Sequence, residues 1–210
     1  MKSYTSAEVA ELDRYTIEDL GVNLKQLMEV AGLRSAEAAV KLFGKNKSLT
    51  VLVGPGGNGG DALVCAKFLK LWEHDVTVIL SETQEKLKPV TSDQLKVWKN
   101  FGGEVIDEPP DKTDGIVDGL IGYSLVGDPR GKSAELIDWT NPQNCQVLSL
   151  DIPSGLDATT GEIRNPCIKA NMTVVFGVMK KGLLVGSAKE YSGDIEIIDI
   201  GFPREFPEVK

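Results

Sequence analysis

Apolar positions along the first 43 residues recur every three or four residues, which is the period of an amphipathic helix. Thr5 followed by Glu8 has the spacing of a helix-capping box. A second periodic stretch extends from about Leu24 to Phe43, where small residues favour close packing against another element. The pattern therefore predicts two helices in the first 45 residues, which we describe as a helical arm.

From Ser48 onward the apolar residues form short runs of strand length, each followed by a turn signal. The predicted elements are strands at 49–53, 76–80, 104–107, 115–118, 146–150, 172–176 and 195–200, and helices at 61–72, 90–101 and 132–139. Alternating strands and helices with apolar strands are typical of a parallel sheet covered on both faces. We therefore predict a three-layer α/β core over residues 48–201, within a single domain spanning residues 1–210.

Composition and charge exclude several classes of function. Of the 210 residues 41% are apolar, and 31 acidic residues outnumber 23 basic ones, which gives a formal charge of −8. An acidic surface repels nucleic acids and anionic membranes, so we expect neither as a partner. The chain has no apolar run of membrane-spanning length and no signal-peptide core, which predicts a cytoplasmic protein. One histidine, His74, and three scattered cysteines predict neither a zinc site nor disulfides.

Polar residues follow three of the predicted strands. They are Asn58, Asp61, Asp118, Gly122, Asp151, Ser154 and Asp157. Parallel order brings these three loops to the same edge of the sheet, where open α/β sheets bind their ligands. The oxygens of Asn58, Asp118 and Ser154 are of the kind that hold a hard cation, although a solvated aspartate at a strand end is the commoner arrangement.

A glycine-rich loop separates the first strand of the core from the helix that follows it. Gly54, Gly56 and Gly59 fit a GxGxxG pattern, which lets backbone N–H groups approach a phosphate at a helix N-terminus. Asp61 in the first helical turn would repel an anion placed as in ordinary dehydrogenases, or it merely caps the helix. The loop predicts a nucleotide ligand but not a standard NAD-dehydrogenase.

Asp151 is the candidate for general acid–base catalysis. It follows an apolar strand and precedes Pro153, so we expect it to be held stiffly and partly desolvated. The alternative is a turn aspartate that accepts hydrogen bonds from the backbone N–H groups after it. The residues alone leave both interpretations open.

Five segments, in order along the chain, resemble motifs of the YjeF N-terminal domain, the NAD(P)HX epimerase family. Val53–Val64 (VGPGGNGGDALV) is similar to the family's VGPGNNGGDGLV signature. The others are Leu27–Gly32, similar to LMExAG, Val117–Gly122, similar to VDALFG, Asp151–Asp157, identical to DIPSGLD, and Asp199–Pro203, similar to DIGIP. The chain departs from the pattern at Gly57 and Ala62, where the family has Asn and Gly.

The resemblance implies a Rossmann-like αβα sandwich with a mostly parallel central sheet, and an enzyme that interconverts the R and S forms of hydrated NADH and NADPH. It implies a potassium ion bound by Asn58, Asp118 and Ser154, and Asp151 as general acid and base. The substrate-binding residues that it implies are Gly57, Asn58, Gly59, Gly60, Asp61, Gly122, Tyr123, Ser124, Leu125, Val126, Gly127, Asp128 and Asp151.

The resemblance also implies a homodimer, and a separate NAD(P)H-hydrate dehydratase in the same pathway, since no fused dehydratase domain follows in this sequence. The alternative function is a non-catalytic nucleotide-binding or dimerisation module of the same fold. A hydride-transferring dehydrogenase is disfavoured by Asp61. Lys180 and Lys181 are candidates for the extra phosphate of NADPH, but exposed lysines are usually only solvated.

Overall fold

The computed structural model describes residues 2–204, with nine strands and six α-helices in that part of the chain. The strands are β1 Ser3–Tyr4, β2 Ser48–Val53, β3 Asp75–Leu80, β4 Glu104–Ile106, β5 Gly115–Gly119, β6 Gln146–Leu150, β7 Met172–Phe176, β8 Met179–Lys180 and β9 Asp194–Ile198. The helices are α1 Ser6–Arg14, α2 Leu24–Phe43, α3 Gly57–Leu71, α4 Pro89–Asn100, α5 Gly131–Thr140 and α6 Lys189–Ser192.

Seven parallel strands form the central sheet, in the order β4-β3-β2-β5-β6-β7-β9. The chain starts in the middle at β2, adds β3 and β4 on one side, and then crosses to β5 on the other. The register places Val53 beside Gly119 and Asp118 beside Ser149. The loops after β2, β5 and β6 therefore meet at the switch point, where α/β sheets bind ligands.

Alternate residues of the strands face opposite layers, as the period of a strand requires. In β2, Val51 and Val53 pack into the cluster that includes Leu63 of α3, whereas Leu52 faces the cluster that includes Ile137 of α5. Both faces of the sheet are thus covered by helices. This confirms the predicted three-layer α/β sandwich with a parallel sheet.

The helical arm packs on the core. The predicted capping box is present, with Thr5 and Glu8 bonded reciprocally, and α1 continues into one π-helical segment, Tyr15–Asp19. The short strand β1 pairs in parallel with β8, so that Tyr4 lies beside Lys180. The sequence pattern did not predict β1, β8 or α6, because segments of two to four residues carry no periodicity.

Helix α3 begins at Gly57, four residues before the predicted start at Asp61. Glycines disfavour helix on propensity alone, which made the segment appear to be a loop. Packing requires glycine at position 59, because a Cβ atom there would lie 1.9 Å from the Gly54 carbonyl oxygen, a backbone atom. A Cβ atom on Gly60 would lie 2.6 Å from Cε at the end of the flexible Met28 side chain.

No helix in the described range, residues 2–204, has the length and apolar character needed to span a membrane.

Candidate active site

A cavity of about 690 Å³ opens at the carboxyl ends of β2, β5 and β6. Its apolar lining residues include Ile17, Leu24, Leu27, Met28 and Phe202. Its lining also carries three carboxyl groups and one buried ammonium group, together with two exposed lysines. The carboxyl and buried ammonium groups belong to Asp13, Asp61, Asp151 and Lys180, and the exposed lysines are Lys86 and Lys88. The volume suits a nucleotide-sized ligand with one apolar face.

Asp151 directly follows β6 and adopts a φ of +67°, a conformation that non-glycine residues rarely occupy. Its backbone N–H donates to the Val174 carbonyl at 2.7 Å, and its Oδ1 atom accepts from the Phe176 N–H at 3.0 Å. The residue is only 5% exposed. Strained backbone that is fixed by its neighbours is typical of functional residues, and here it directs the carboxyl group into the cavity.

The ammonium group of Lys180 forms an ion pair with Asp151 Oδ1 and donates to the Phe176 carbonyl oxygen at 3.0 Å. Lys180 has no exposed surface, so the expectation of a solvated lysine is wrong at this position. The buried carboxylate provides the counter-charge that makes this burial possible. Lys181 does extend toward solvent, where it pairs with Glu8 at 3.4 Å.

Asp118 lies at the end of β5 and is completely buried. Its Oδ1 atom accepts from Ser154 Oγ at 2.6 Å, and its Oδ2 atom accepts from Ser149 Oγ at 2.8 Å and the Ser154 N–H at 2.9 Å. Burial raises the pKa of Asp118, and the hydrogen bonds from Ser154 and Ser149 oppose that rise. The network ties the loop after β6 to β5.

Asn58 completes the oxygen cluster predicted from the sequence. Its Nδ2 group donates to the Leu150 carbonyl oxygen at 3.1 Å, which leaves Oδ1 buried without a hydrogen-bond partner in the described residues. The side chain packs beside Gly122, where an added Cβ would lie 3.3 Å from Asn58 Cβ. A buried amide oxygen without a hydrogen-bond partner, on a side chain held at the end of β6, suits a cation that prefers oxygen ligands.

The arm contributes the third carboxyl group of the cavity. Asp13 Oδ2 accepts a hydrogen bond of 2.6 Å from the Tyr123 hydroxyl, which joins α1 to the loop after β5. Burial raises the pKa of Asp13, and the Tyr123 hydrogen bond opposes that rise. Desolvation also raises the pKa of Asp61 well above the usual aspartate range, and the nearby Asp151 carboxylate adds to this effect.

The structure brings some of the predicted substrate-binding residues together at the cavity. Those lining it are Gly57, Asn58, Asp61, Gly122, Tyr123, Ser124 and Asp151. Gly59 and Gly60 are instead buried inside α3. Leu125, Val126, Gly127 and Asp128 do not line the cavity, and Val126 is 93% exposed.

Two other polar residues have structural roles. Asp157 Oδ1 accepts from the N–H groups of Thr159 and Thr160 at 2.9 and 2.8 Å, as a turn aspartate does. His74 precedes β3, and its Nδ1 atom accepts from the Lys47 N–H at 3.2 Å. Both lie outside the residues that line the cavity.

The sequence reasoning missed the contribution of the arm and of Lys180. Val9, Asp13 and Ile17 lie at helical spacing on α1 and the π-helical segment, and all three line the cavity. The only local signal was the aspartate at position 13 on an otherwise apolar face.

A parallel αβα sandwich with a glycine-lined cavity at its switch point defines the class as a nucleotide-binding α/β protein. Comparison with known families narrows this class. Residues 24–182 match the model of the family described as YjeF-related protein N-terminus. The chain belongs to this family, as its motifs indicated.

Curated relatives span most of the chain. It is 37% identical to an NAD(P)H-hydrate epimerase of Dehalogenimonas lykanthroporepellens, over 92% of this chain and 79% of that protein. It is 32% identical to an NAD(P)H-hydrate epimerase of Oenococcus oeni, over 94% of this chain and 95% of that one. Against the bifunctional NAD(P)H-hydrate repair enzyme Nnr of Hyperthermus butylicus the identity is 35%, and the chain spans only 39% of that protein.

The fold also matches a solved structure. The crystal structure of yeast YNL200c superposes with a TM-score of 0.82 at 26% identity, over 100% of this chain and 97% of that one. The match includes the arm, and this confirms the Rossmann-like sandwich over the whole length.

Proposed function

We propose that this protein is an epimerase that interconverts the R and S forms of hydrated NADH and NADPH. The observation that carries the proposal is the buried Asp151–Lys180 pair in a cavity at the switch point of a nucleotide-binding fold. Relatives named NAD(P)H-hydrate epimerase, which align over more than nine-tenths of this chain, support it.

The chemistry follows from the substrate. Hydration leaves a hydroxyl group on the ring carbon beside the ring nitrogen, and the nitrogen lone pair assists loss of that hydroxyl. The product is a planar, delocalised cation, and water that adds to its other face inverts the centre. Asp151 is placed to act in acid–base exchange and to stabilise the cation by its charge. Apolar residues of the cavity lining reduce the access of bulk water to it.

We also propose that Asn58, Asp118 and Ser154 hold a potassium ion. The unpartnered, buried Oδ1 atom of Asn58 supports this assignment, and so does the buried hydrogen-bonded pair of Asp118 and Ser154. A potassium ion held by these three residues would supply a fixed positive charge at the carboxyl ends of β2, β5 and β6.

Separated R and S hydrated NADPH provides the direct test of the activity. We expect the protein to accelerate their interconversion, which is monitored by chromatography. We expect no change in absorbance at the reduced-nicotinamide band, because epimerisation leaves the redox state unchanged. A nucleotide that protects the protein against unfolding without any acceleration would instead favour the non-catalytic binding module. A change of redox state with an oxidisable substrate would favour a dehydrogenase.

Replacement of potassium by tetramethylammonium is expected to lower both the epimerisation rate and the thermal midpoint. A ligand at 100 times its dissociation constant stabilises by about 2.7 kcal/mol, which corresponds to about 5–10 °C for a chain of this size. Differential scanning fluorimetry measures the midpoint without any substrate. In Asn58→Ala the two salts should give the same midpoint, and equal midpoints in the wild-type protein would contradict the cation site.

The wider setting of the enzyme is part of the same proposal. We propose an NAD(P)H-hydrate dehydratase activity as the pathway partner, a homodimeric assembly and a cytoplasmic location. The acidic net charge of −8 is consistent with a partner that is neither nucleic acid nor membrane. Sedimentation of the purified protein tests the homodimer directly.

A further inference from the structure

The three carboxyl groups of the cavity differ in their partners. Asp151 is paired with the Lys180 ammonium group, and Asp13 accepts a hydrogen bond from the Tyr123 hydroxyl. Asp61 forms no hydrogen bond or ion pair with any residue between 2 and 204, although it lines the same cavity. The site therefore contains one carboxyl group that no protein contact holds in the ionised form.

Loss of the substrate hydroxyl requires a proton donor, because hydroxide is a poor leaving group and water is a good one. Asp151 Oδ1 accepts hydrogen bonds from both the Lys180 ammonium group and the Phe176 N–H, so its contacts are those of a hydrogen-bond acceptor. Asp151 in its observed contacts therefore suits the acceptor half of the reaction. Another group must supply the donor half.

We propose that Asp61 is the proton donor to the departing hydroxyl group, and that Asp151, paired with Lys180, receives the proton of the water that re-adds. This assignment rests on the epimerase function proposed above. It adds a second catalytic carboxyl group to the site, on α3 rather than after β6.

The step balances without any redox change. The Asp61 O–H bond breaks, its proton joins the hydroxyl oxygen, and the C–O bond breaks to release water while the nitrogen lone pair forms a C=N bond. A second water forms the new C–O bond on the opposite face as the C=N electrons return to nitrogen. Asp151 takes the released proton, and exchange through cavity water returns a proton to Asp61.

The charged surroundings of Asp61 favour its protonated form. The titratable groups that face it are Asp13, Tyr123, Asp151, Lys180 and, one turn along α3, Cys65. Desolvation raises the pKa of Asp61, the carboxylates of Asp151 and Asp13 raise it further, and Lys180 opposes them. An aspartate whose pKa is raised toward the working pH keeps a proton for catalysis.

Tyr123 is the other proton-bearing group at the cavity, and its contacts disfavour it as the donor. Its hydroxyl proton is already donated to Asp13 at 2.6 Å. Burial and the neighbouring Asp13 carboxylate raise the pKa of Tyr123, which makes it a weaker acid. Its hydrogen bond to Asp13 instead holds the loop after β5 against α1.

The test compares Asp61→Asn and Asp61→Glu with the wild-type protein, with Asp138→Asn on the exposed face of α5 as the matched control. Steady-state epimerisation is measured from about pH 5 to pH 10 after subtraction of the uncatalysed rate. We expect Asp61→Asn to reduce kcat by about 10²–10⁴-fold with less than about a threefold change in KM. The wild-type rate should fall as pH rises through the pKa of Asp61, and Asp61→Asn should lack that decrease.

The outcomes separate this inference from the proposed function. A wild-type protein without any epimerase activity overturns the function itself. An active wild-type protein whose alkaline decrease persists in Asp61→Asn overturns the role of Asp61 alone. Should Asp61→Asn fail to fold, Asp61→Glu decides: a shifted alkaline decrease supports the assignment, and an unshifted one overturns it.

Discussion

Asp151→Asn is expected to lose both turnover and stability. The amide removes acid–base exchange and the negative charge, which lowers kcat by about 10²–10⁴-fold. It also leaves the fully buried Lys180 ammonium group without its counter-charge, at a cost of about 3–5 kcal/mol. Chemical denaturation and the epimerisation assay measure the two losses. The buried lysine is the reason that a loss of stability accompanies the loss of activity.

The double variant Asp151→Asn/Lys180→Met separates the two effects. Removing both charges should restore most of the lost stability, because a buried ion pair is often replaced by apolar groups at little cost. Activity should remain as low as in Asp151→Asn. A single variant as stable as the wild-type protein would contradict a stabilising role of the ion pair between Asp151 and Lys180.

Gly54→Ala is expected to destabilise the protein where the chain leaves β2 and β5, next to the cavity. A Cβ atom on Gly54 would lie 1.7 Å from the Leu120 carbonyl oxygen and 2.6 Å from the Leu120 carbonyl carbon. Both are backbone atoms, so no side chain can turn aside, and the ends of β2 and β5 must separate. We expect a loss of at least about 4 kcal/mol in the free energy of unfolding, measured by denaturant titration.

Gly57→Ala, three residues further along the same loop, is the matched control. No heavy atom lies within 4 Å of the added Cβ, and alanine favours helix at the first position of α3. We expect a change within about 1 kcal/mol. Equal losses in the two variants would mean that the contact between Gly54 and Leu120 does not limit the structure.

The seven strands of the central sheet could be predicted because each is a short apolar run bounded by turn residues. The apolar run 146–150 and the turn signals around it suffice to place β6, and the parallel order then brings Asn58, Asp118 and Ser154 to one edge. The contacts of Asp118 with Ser149 and Ser154 bear out that convergence. Their roles in binding a cation stay a prediction.

The remainder of the site depends on contacts that sequence spacing does not record. Lys180 is buried because its ammonium group donates a hydrogen bond to Asp151, which lies 29 residues away in the sequence. Its neighbours in the chain, Lys181 and Gly182, are typical of a solvated turn. Asp13 likewise reaches the cavity only because Tyr123, 110 residues away, donates to it. Long-range pairs of this kind have no periodic signature.

The pairing of β1 with β8 has a consequence for synthesis of the chain on the ribosome. Ser3 and Tyr4 are made about 175 residues before their partners Met179 and Lys180. At 5–20 residues per second the interval is roughly 9–35 s. During that time β1 has no neighbouring strand, so the nascent chain fixes β1 against β8 only after Lys180, whose charge lies in the cavity, has been made.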